Sequence, residues 1–340
     1  VPDENPPTVQ LAHGGGGRMT QRLIESVFLP AFQNPALAPL HDGACLTLPP
    51  GRVAFSTDSY VVSPLFFPGG DIGSLAVHGT VNDLAMCGAT PLYLSAGFIL
   101  EEGLPLECLR RVVSSMAKAA RAANVSIATG DTKVVDRGKA DQLFINTAGI
   151  GVIAEGVHIA PTRARPGDLV LVNGDLAEHG IAIMSVRQGL EFDTALLSDS
   201  AALHELVAAA LAAGGDAVHV LRDPTRGGVA SAMNEIAMAA GVGVRLDEKA
   251  LPVGEAVRGA CEILGFDPLY VANEGKCLAV VERSKAEEVL AAWKRHPLGA
   301  RAAIIGEVTE GPKGQVVLRT RIKGERIVSM LSGEQLPRIC

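Results

Sequence analysis

The chain has 340 residues, of which 48% are hydrophobic and 20% charged, and a formal net charge of −7. That apolar share excludes intrinsic disorder and suffices for a large core, more readily two domains than one, and the acidic balance excludes the concentrated positive charge that a nucleic-acid partner needs. Its 38 glycines show no collagen period, and no apolar run reaches the roughly 18 residues of a membrane span, so no membrane partner is expected.

The opening "VPDENPPTVQ" is polar and proline-rich, is expected to fray or drape over the surface, and lacks a signal-peptide pattern. "AHGGGGR" follows, with Gly14, Gly15, Gly16 and Gly17 ahead of Arg18. Glycines let a backbone approach a ligand closely and turn N–H groups toward phosphate. No Gly-Lys-Ser/Thr follows and no strand precedes, so this is neither a Walker A loop nor a dinucleotide fingerprint. A phosphate loop and a plain flexible loop both fit.

"RVAFSTDSYVV" then reads as a strand with a polar centre. "GDIGSLAVHGTVNDLAMCGA" reads as a helix beginning near Gly73 and broken by Gly88, and "PLYLSAGFIL" as a strand. "LPLECLRRVVSSMAKAARAANV" has apolar residues at helical spacing, "SIATGDTKVV" is a strand running into a loop, and "DQLFINTAGIGVIAE" is a longer strand. A turn-rich boundary falls near Pro161–Asp168. Beyond it come a strand, loop and helix in "DLVLVNGDLAEHGIAIMSVRQG" and a helix in "SAALHELVAAALAAG". A strand, polar turn and helix follow in "VHVLRDPTRGGVASAMNEIAMAAG", then a strand and helix in "CLAVVERSKAEEVLAAWKRH". "RAAIIGEVTEGPKGQVVLRT" predicts a hairpin, since Gly and Pro separate two β-branched runs. "SGEQLPRIC" has no period and reads as a tail.

Four aspartates stand out. Asp42 lies in "HDGA", Asp58 inside an otherwise apolar strand pattern, Asp83 within a nearly uncharged helix pattern, and Asp131 just past a strand in "TGDTK". A carboxylate in apolar company is costly unless positive charge meets it. Each alone fits a cap or turn; as a group they suggest one oxygen-rich site suited to magnesium, which takes carboxylates, water and phosphate oxygens together. Lys133 in "GDTK" and Glu274 in "ANEGK" offer a charge for a moving phosphoryl group and a carboxylate for a proton, with a surface turn as the alternative for each. In "RDPTRGG", Asp223 and Thr225 are expected to cap a helix and Arg226 to face an anion at its N-terminus. His13, His41, His78 and His179 read as hydrogen-bonded or exposed rather than metal-ligating.

Six cysteines lie scattered without a Cys-x-x-Cys pair, which fits a reducing, cytoplasmic setting. Cys87, Cys108 and Cys277 sit in apolar surroundings and are expected in the core. Cys340, the last residue of "LPRIC", can be carried wherever its tail swings, and eight residues from Gly333 span at most roughly 25–29 Å. Gly333 offers a hinge there and Pro337 stiffness.

"AHGGGGR", "HDGACL", "STDSYVVSPLFFPGGDIG", "VNDLAMCGA", "GDTKVV", "RDPTRGG", "NEGK" and the final "PRIC" together resemble the HypE family of hydrogenase maturation proteins, from about Ala12 to Cys340. All but "PRIC" also resemble the wider superfamily of aminoimidazole ribonucleotide synthetase, selenophosphate synthetase and thiamine-monophosphate kinase. The resemblance implies a two-domain PurM-like fold, α/β followed by α+β. Its expected parts are an N-terminal extension with the glycine loop (1–40), an ATP-binding and dimerisation domain (41–160), a C-terminal domain (161–332) and a tail (333–340). It implies a homodimer with ATP near the pairing. By the same resemblance Cys340 receives a carbamoyl group from the carbamoyltransferase HypF. By it too, Asp42, Asp58, Asp83 and Asp131 hold magnesium (Mg2+) against ATP and Gly14–Gly17 close over the nucleotide; from their own sequence context, Arg226 is expected to bind the nucleotide phosphates and Lys133 and Glu274 to assist the chemistry. Relatives often carry two acidic residues where this chain has His41 and Asp42. The implied activity is a lyase reaction, ATP-dependent dehydration of the S-carbamoyl group to a thiocyanate, with the cyanide passed to iron held by a HypC–HypD complex. Two alternatives remain at this point. One is a superfamily enzyme acting on a free small molecule, which would leave Cys340 without work. The other is a non-enzymatic scaffold with the tail as a docking peptide.

Overall fold

The computed structural model describes residues 7–190, 196–333, 336 and 338–340. Pro337 and most of the first segment therefore lie outside the described residues. No described helix is long and apolar enough to cross a membrane.

The N-terminal segment, for which no element is predicted, is helical: α1 (Arg18–Leu23), a π-helical turn (Ile24–Phe28) and α2 (Leu29–Phe32). Next come β1 (Arg52–Tyr60), a small ribbon of β2 (Phe66–Phe67) and β3 (Gly70–Asp71), and α3 (Ile72–Met86). The first half closes with β4 (Ala89–Glu101), α4 (Leu106–Ala122), β5 (Ser126–Val135) and β6 (Leu143–Ile153). α3 starts where Asp71 accepts the Gly73 and Ser74 N–H groups at 2.7 and 3.1 Å, a reciprocal cap that the Ser74 side chain completes. α4 turns Leu109, Val112, Val113 and Met116 inward at helical spacing. Each is at most 1% exposed, and burial of each contributes roughly 1.5–3 kcal/mol.

The four large strands form one sheet in the order β1-β6-β4-β5, antiparallel except for β4 with β5. Helices α3 and α4 cover one face. The other face presents Val53, Phe55 and Ile99 to solvent. The "GDTK" stretch differs from its expected loop: Asp131 and Lys133 are paired within β5, opposite Gly97 and Ile99 of β4.

The second half runs β7 (Leu169–Val172), α5 (Glu178–Gln188), α6 (His204–Gly214), β8 (Val218–Arg222), α7 (Gly228–Ala240) and β9 (Gly243–Asp247). It continues with α8 (Glu255–Leu264), β10 (Leu278–Val281), α9 (Arg283–Arg295), β11 (Ala303–Thr309), β12 (Gln315–Arg319) and β13 (Glu325–Ile327). Its seven-stranded sheet has the order β13-β12-β9-β11-β7-β10-β8. The runs "LVLV" and "LAVV" are apolar throughout because both faces are covered, by α7 on one side and by α6 with α9 on the other. The predicted hairpin of residues 301–320 does not form. β11 and β12 both pair with β9, which lies between them.

α3 joins the halves. It is buried nearly all round, and its Ala85 and Met86 pack with the α6–α9 layer. Asn82 donates to the Ala201 and Glu274 carbonyls at 3.0 and 3.2 Å and accepts the Leu203 N–H at 2.8 Å. Of the expected core cysteines only Cys277 is buried. Cys87 is exposed where α3 ends, Cys108 is half-buried, and Cys261 is buried instead.

Candidate active site

The tail is not loose at its end. Ile339 is 3% exposed and belongs to the apolar core of the first domain. Leu336 touches that core and also the Ala177–Ile181–Val271 cluster of the second domain. The backbone beyond β1 holds the tail through two hydrogen bonds: the Val61 N–H donates to a main-chain oxygen of Cys340 at 3.0 Å and the Ser63 N–H to the Arg338 carbonyl at 3.4 Å. Arg338 reaches back to the Val61 carbonyl at 3.1 Å and to Asp141 at 2.5 Å, while Arg187 donates to the carbonyls of Ser63 and Arg338.

Cys340 thereby lines a cavity of about 320 Å³ with Ser59, Val61, Arg226, Gly227 and Tyr270. Burial, then the charge of Glu274, pushes its thiol up to about 12, against the opposite pull of Arg226. The docked sulfur is a protonated thiol, not a nucleophile.

Carboxyl groups crowd this end. Glu274 is 4% exposed, and its Oε1 is buried without a hydrogen-bond partner. Burial first, then Asp199, Asp223, Asp58 and Asp83, raise its carboxyl well above the usual range. Asp83 accepts from Ser56 Oγ at 2.6 Å and is raised by burial. Asp223 is raised to about 7, by burial and then by Asp83. It does not cap α7 as expected. The N-cap is Gly227 in the left-handed region, with no side-chain cap, which leaves Asp223 buried in the carboxyl cluster and Arg226 exposed on the rim.

The loop bearing Glu274 is fixed from below. Its N–H donates to Asp199 Oδ1 at 3.0 Å. Buried Lys276 lies 2.9 Å from Glu178 and 3.0 Å from Asp199. Burial opposes the lysine's charge, yet these two carboxylates raise its pKa overall. A Cβ at Gly275 would fall 1.8 Å from the Asp199 carbonyl oxygen, so only glycine lets these segments meet. Asp199, Lys276 and Asp223 were not among the expected site residues. "NEGK" was the available signal for Lys276; nothing local marks Asp199.

The remaining expected residues lie elsewhere. Asp58 on β1 and Asp131 on β5 sit at opposite edges of the sheet, three strand spacings or roughly 14 Å apart. Lys133 is exposed and paired with Asp131 at 2.9 Å, so within one chain it does not meet Glu274 or Cys340. Asp42 is exposed on the loop before β1. Among the described residues no three His, Cys, Asp or Glu side chains converge as metal ligands. The glycine loop packs on the β5 edge, where a Cβ at Gly14 would fall 2.6 Å from the Val134 nitrogen. Beside it opens a cavity of about 440 Å³, lined by Gly16, Ile24, Phe28, Phe98, His41 and Asp131 among others. The π-helical turn supplies part of that wall, and such turns concentrate at functional sites.

Comparison with known proteins gives this arrangement a family. The AIR synthase related protein N-terminal domain matches residues 40–153, and the corresponding C-terminal domain matches residues 165–319. Carbamoyl dehydratase HypE of Rhizobium leguminosarum bv. viciae is 56% identical over 332 residues, covering 98% of this chain and 95% of the relative. A crystal structure of hydrogenase maturation protein HypE in complex with ATP superposes with a TM-score of 0.94 at 52% identity, covering 98% of this chain and 100% of that one. A crystal structure of a HypE–HypF complex matches with a TM-score of 0.80 at 50% identity, covering 91% of this chain and 99% of that one. The expected two-domain PurM-like fold is thus borne out, and the chain belongs to the HypE family of hydrogenase maturation proteins.

Proposed function

We propose that this chain is an ATP-dependent carbamoyl dehydratase acting on its own Cys340. The observation that supports it most is the docked tail, which sets the thiol beside buried carboxyl groups in a chain 56% identical to a named carbamoyl dehydratase. The S-carbamoyl group must lose water to become a thiocyanate, and hydroxide is a poor leaving group. The carbonyl oxygen attacks the γ-phosphorus of ATP, ADP leaves, and nitrogen gives up one proton. The C–O bond of the resulting phosphate ester then breaks, phosphate leaves, and nitrogen gives up its second proton to form the C≡N bond. Arg226 faces the negative charge that passes to the phosphoryl oxygens. Glu274 offers an acceptor with its hydrogen-bonding capacity unused, which an amide N–H of the carbamoyl group supplies. Burial and mutual crowding raise Asp223 to about 7 and hold Glu274 well above the usual carboxyl range, the arrangement that proton exchange near neutral pH requires.

Magnesium fits this donor set. The carboxylates are hard oxygen ligands; burial and then neighbouring carboxylates, Asp58 among them, raise Asp83 and Glu274, and a cation would relieve that crowding. Asp58 and Asp83 would hold it, with the other ligands from phosphate and water, and when bound it would neutralise phosphate charge. Asp83→Asn is expected to weaken ATP binding in magnesium at least about tenfold, and to matter little without the ion. Calorimetric titration in both conditions checks this, and equal affinity in both would return Asp83 to a structural role.

The glycine loop, Asp131, Lys133 and the β5-edge cavity suit the nucleotide, but they stand at the far edge from Cys340. A second copy of the chain reconciles the two halves. The exposed apolar face of the first sheet, where Phe55 is 69% exposed, supports a homodimer through that face. Phe55→Asp is expected to weaken self-association at least about tenfold by sedimentation, and an unchanged dimer would place the interface elsewhere. HypF as carbamoyl donor and HypC–HypD as acceptor of cyanide complete the reading, in a reducing cytoplasm where the free cysteines among the described residues persist. Mass spectrometry of the C-terminal peptide after incubation with HypF, carbamoyl phosphate and ATP tests the whole. The expected product is the thiocyanate of Cys340, and a carbamoyl adduct that ATP never alters would reject it.

A further inference from the structure

Dehydration needs the carbamoyl group held still, and the backbone on either side of the Cys340 Cα is gripped. One grip is the Val61 N–H on a main-chain oxygen of Cys340. The other is His179, whose Nε2 lies 2.8 Å from the Ile339 carbonyl oxygen. His179 is 0% exposed and meets Phe67 edge-on, with ring centroids 5.6 Å apart. Its Nδ1 lies 2.7 Å from Ser198 Oγ, and that oxygen accepts the Ser200 N–H at 3.1 Å. The Ile339 carbonyl can only accept, so Nε2 is the donor, and Nδ1 of the neutral ring accepts from the Ser198 hydroxyl. The imidazole proton is then on Nε2, aimed at the tail. Burial holds the ring below its ordinary pKa, which keeps it neutral.

The support behind this ring is shared. Ser198 is anchored by its N–H to the Pro68 carbonyl at 2.8 Å, and its neighbour Asp199 receives the Glu274 N–H. Gly180, next to His179, donates to the Ala272 carbonyl at 3.1 Å, two residues before Glu274. One short segment thus braces both the tail and the carboxyl group.

We propose that His179 is a positioning residue for the dehydration: by donating Nε2–H to the Ile339 carbonyl, it aims the S-carbamoyl group of Cys340 at Glu274 and Arg226. This rests on the reading of the docked tail as the reactive state. The same hydrogen bond does nothing for loading of the carbamoyl group, which happens with the tail elsewhere.

The test uses full-length protein carbamoylated on Cys340, in single-turnover reactions with magnesium-ATP. His179→Ala is expected to slow thiocyanate formation roughly 10- to 100-fold, the scale of a misplacement near 1 Å, while changing ATP affinity less than about twofold. His179→Gln places an amide N–H near the same carbonyl and is expected to recover all but about threefold of the rate. Alkylation of uncarbamoylated Cys340 by iodoacetamide is expected to quicken at least about tenfold in the alanine variant and not in the glutamine one. If the alanine variant does not fold, Ser198→Ala carries the test, since it keeps the ring but frees its tautomer, and a rate equal to the parent's rejects the proposal. An unchanged rate in folded His179→Ala, or a loss that glutamine does not restore, also rejects it. If the parent itself forms no thiocyanate, the docked-state reading has failed instead.

Discussion

Replacing Cys340 with alanine is expected to abolish thiocyanate formation completely while costing about 1 kcal/mol of stability or less. The thiol is only half-buried and contributes one sulfur to the edge of the first core, whereas Ile339 and Leu336 carry the apolar contacts of the tail. Loss of the one atom that bears the carbamoyl group leaves no substrate, so no rate remains to be reduced. The exposed thiols, Cys45 and Cys87, provide the internal control. Peptide mass mapping after treatment with HypF, carbamoyl phosphate and ATP reads the result. A carbamoyl or thiocyanate adduct that persists in the alanine variant, at either of those cysteines, would overturn the assignment of Cys340.

Replacing Glu274 with glutamine is expected to slow dehydration roughly 100- to 10,000-fold, the range for loss of a positioned proton-transfer group. It is also expected to make the protein more stable at neutral pH. The folded-state pKa of Glu274 lies well above its ordinary 4.5. The folded state therefore binds the proton more tightly than the unfolded chain does. As pH rises past 4.5 toward the folded value, that preference costs stability, and glutamine has none to lose. The melting temperature of Glu274→Gln should then exceed that of the parent by a margin that widens as pH rises above 4.5. Opposite movements of activity and stability separate a working carboxyl group from a packing one. A variant that loses both together would make Glu274 structural.

Local pattern carried those parts of the fold that local physics decides. The helix around Leu109, Val112, Val113 and Met116 was legible because its burial repeats at the helical period. The Asp71 cap was visible only as a start near Gly73, within the ordinary uncertainty of helix ends. Pairing was not legible. The runs at 303–309 and 315–319 look like a hairpin, yet β9 takes the place between them, and nothing within those residues encodes a strand from 60 residues upstream. Site residues divide the same way. Glu274 stood out as a carboxylate between apolar strands, and Asp83 as a charge within an uncharged helix. Which sheet edge each aspartate would occupy depends on strand order, so Asp58 and Asp131 read as neighbours and stand apart. His179 and Asp199 acquire their roles only through the tail and the Glu274 loop, each many residues away.

The docked tail has a consequence for throughput. On the proposed reading, Cys340 leaves its cavity to be loaded by HypF and returns to be dehydrated. Every contact that favours docking, from the buried Ile339 to the Arg338–Asp141 pair, raises the share of time available for the second step and lowers it for the first. Turnover through the full cycle is therefore greatest at an intermediate docking strength. A variant that clamps the tail harder should starve the enzyme of substrate as surely as one that releases it. Because substrate and catalyst are one chain, no rise in free substrate concentration can compensate for either error.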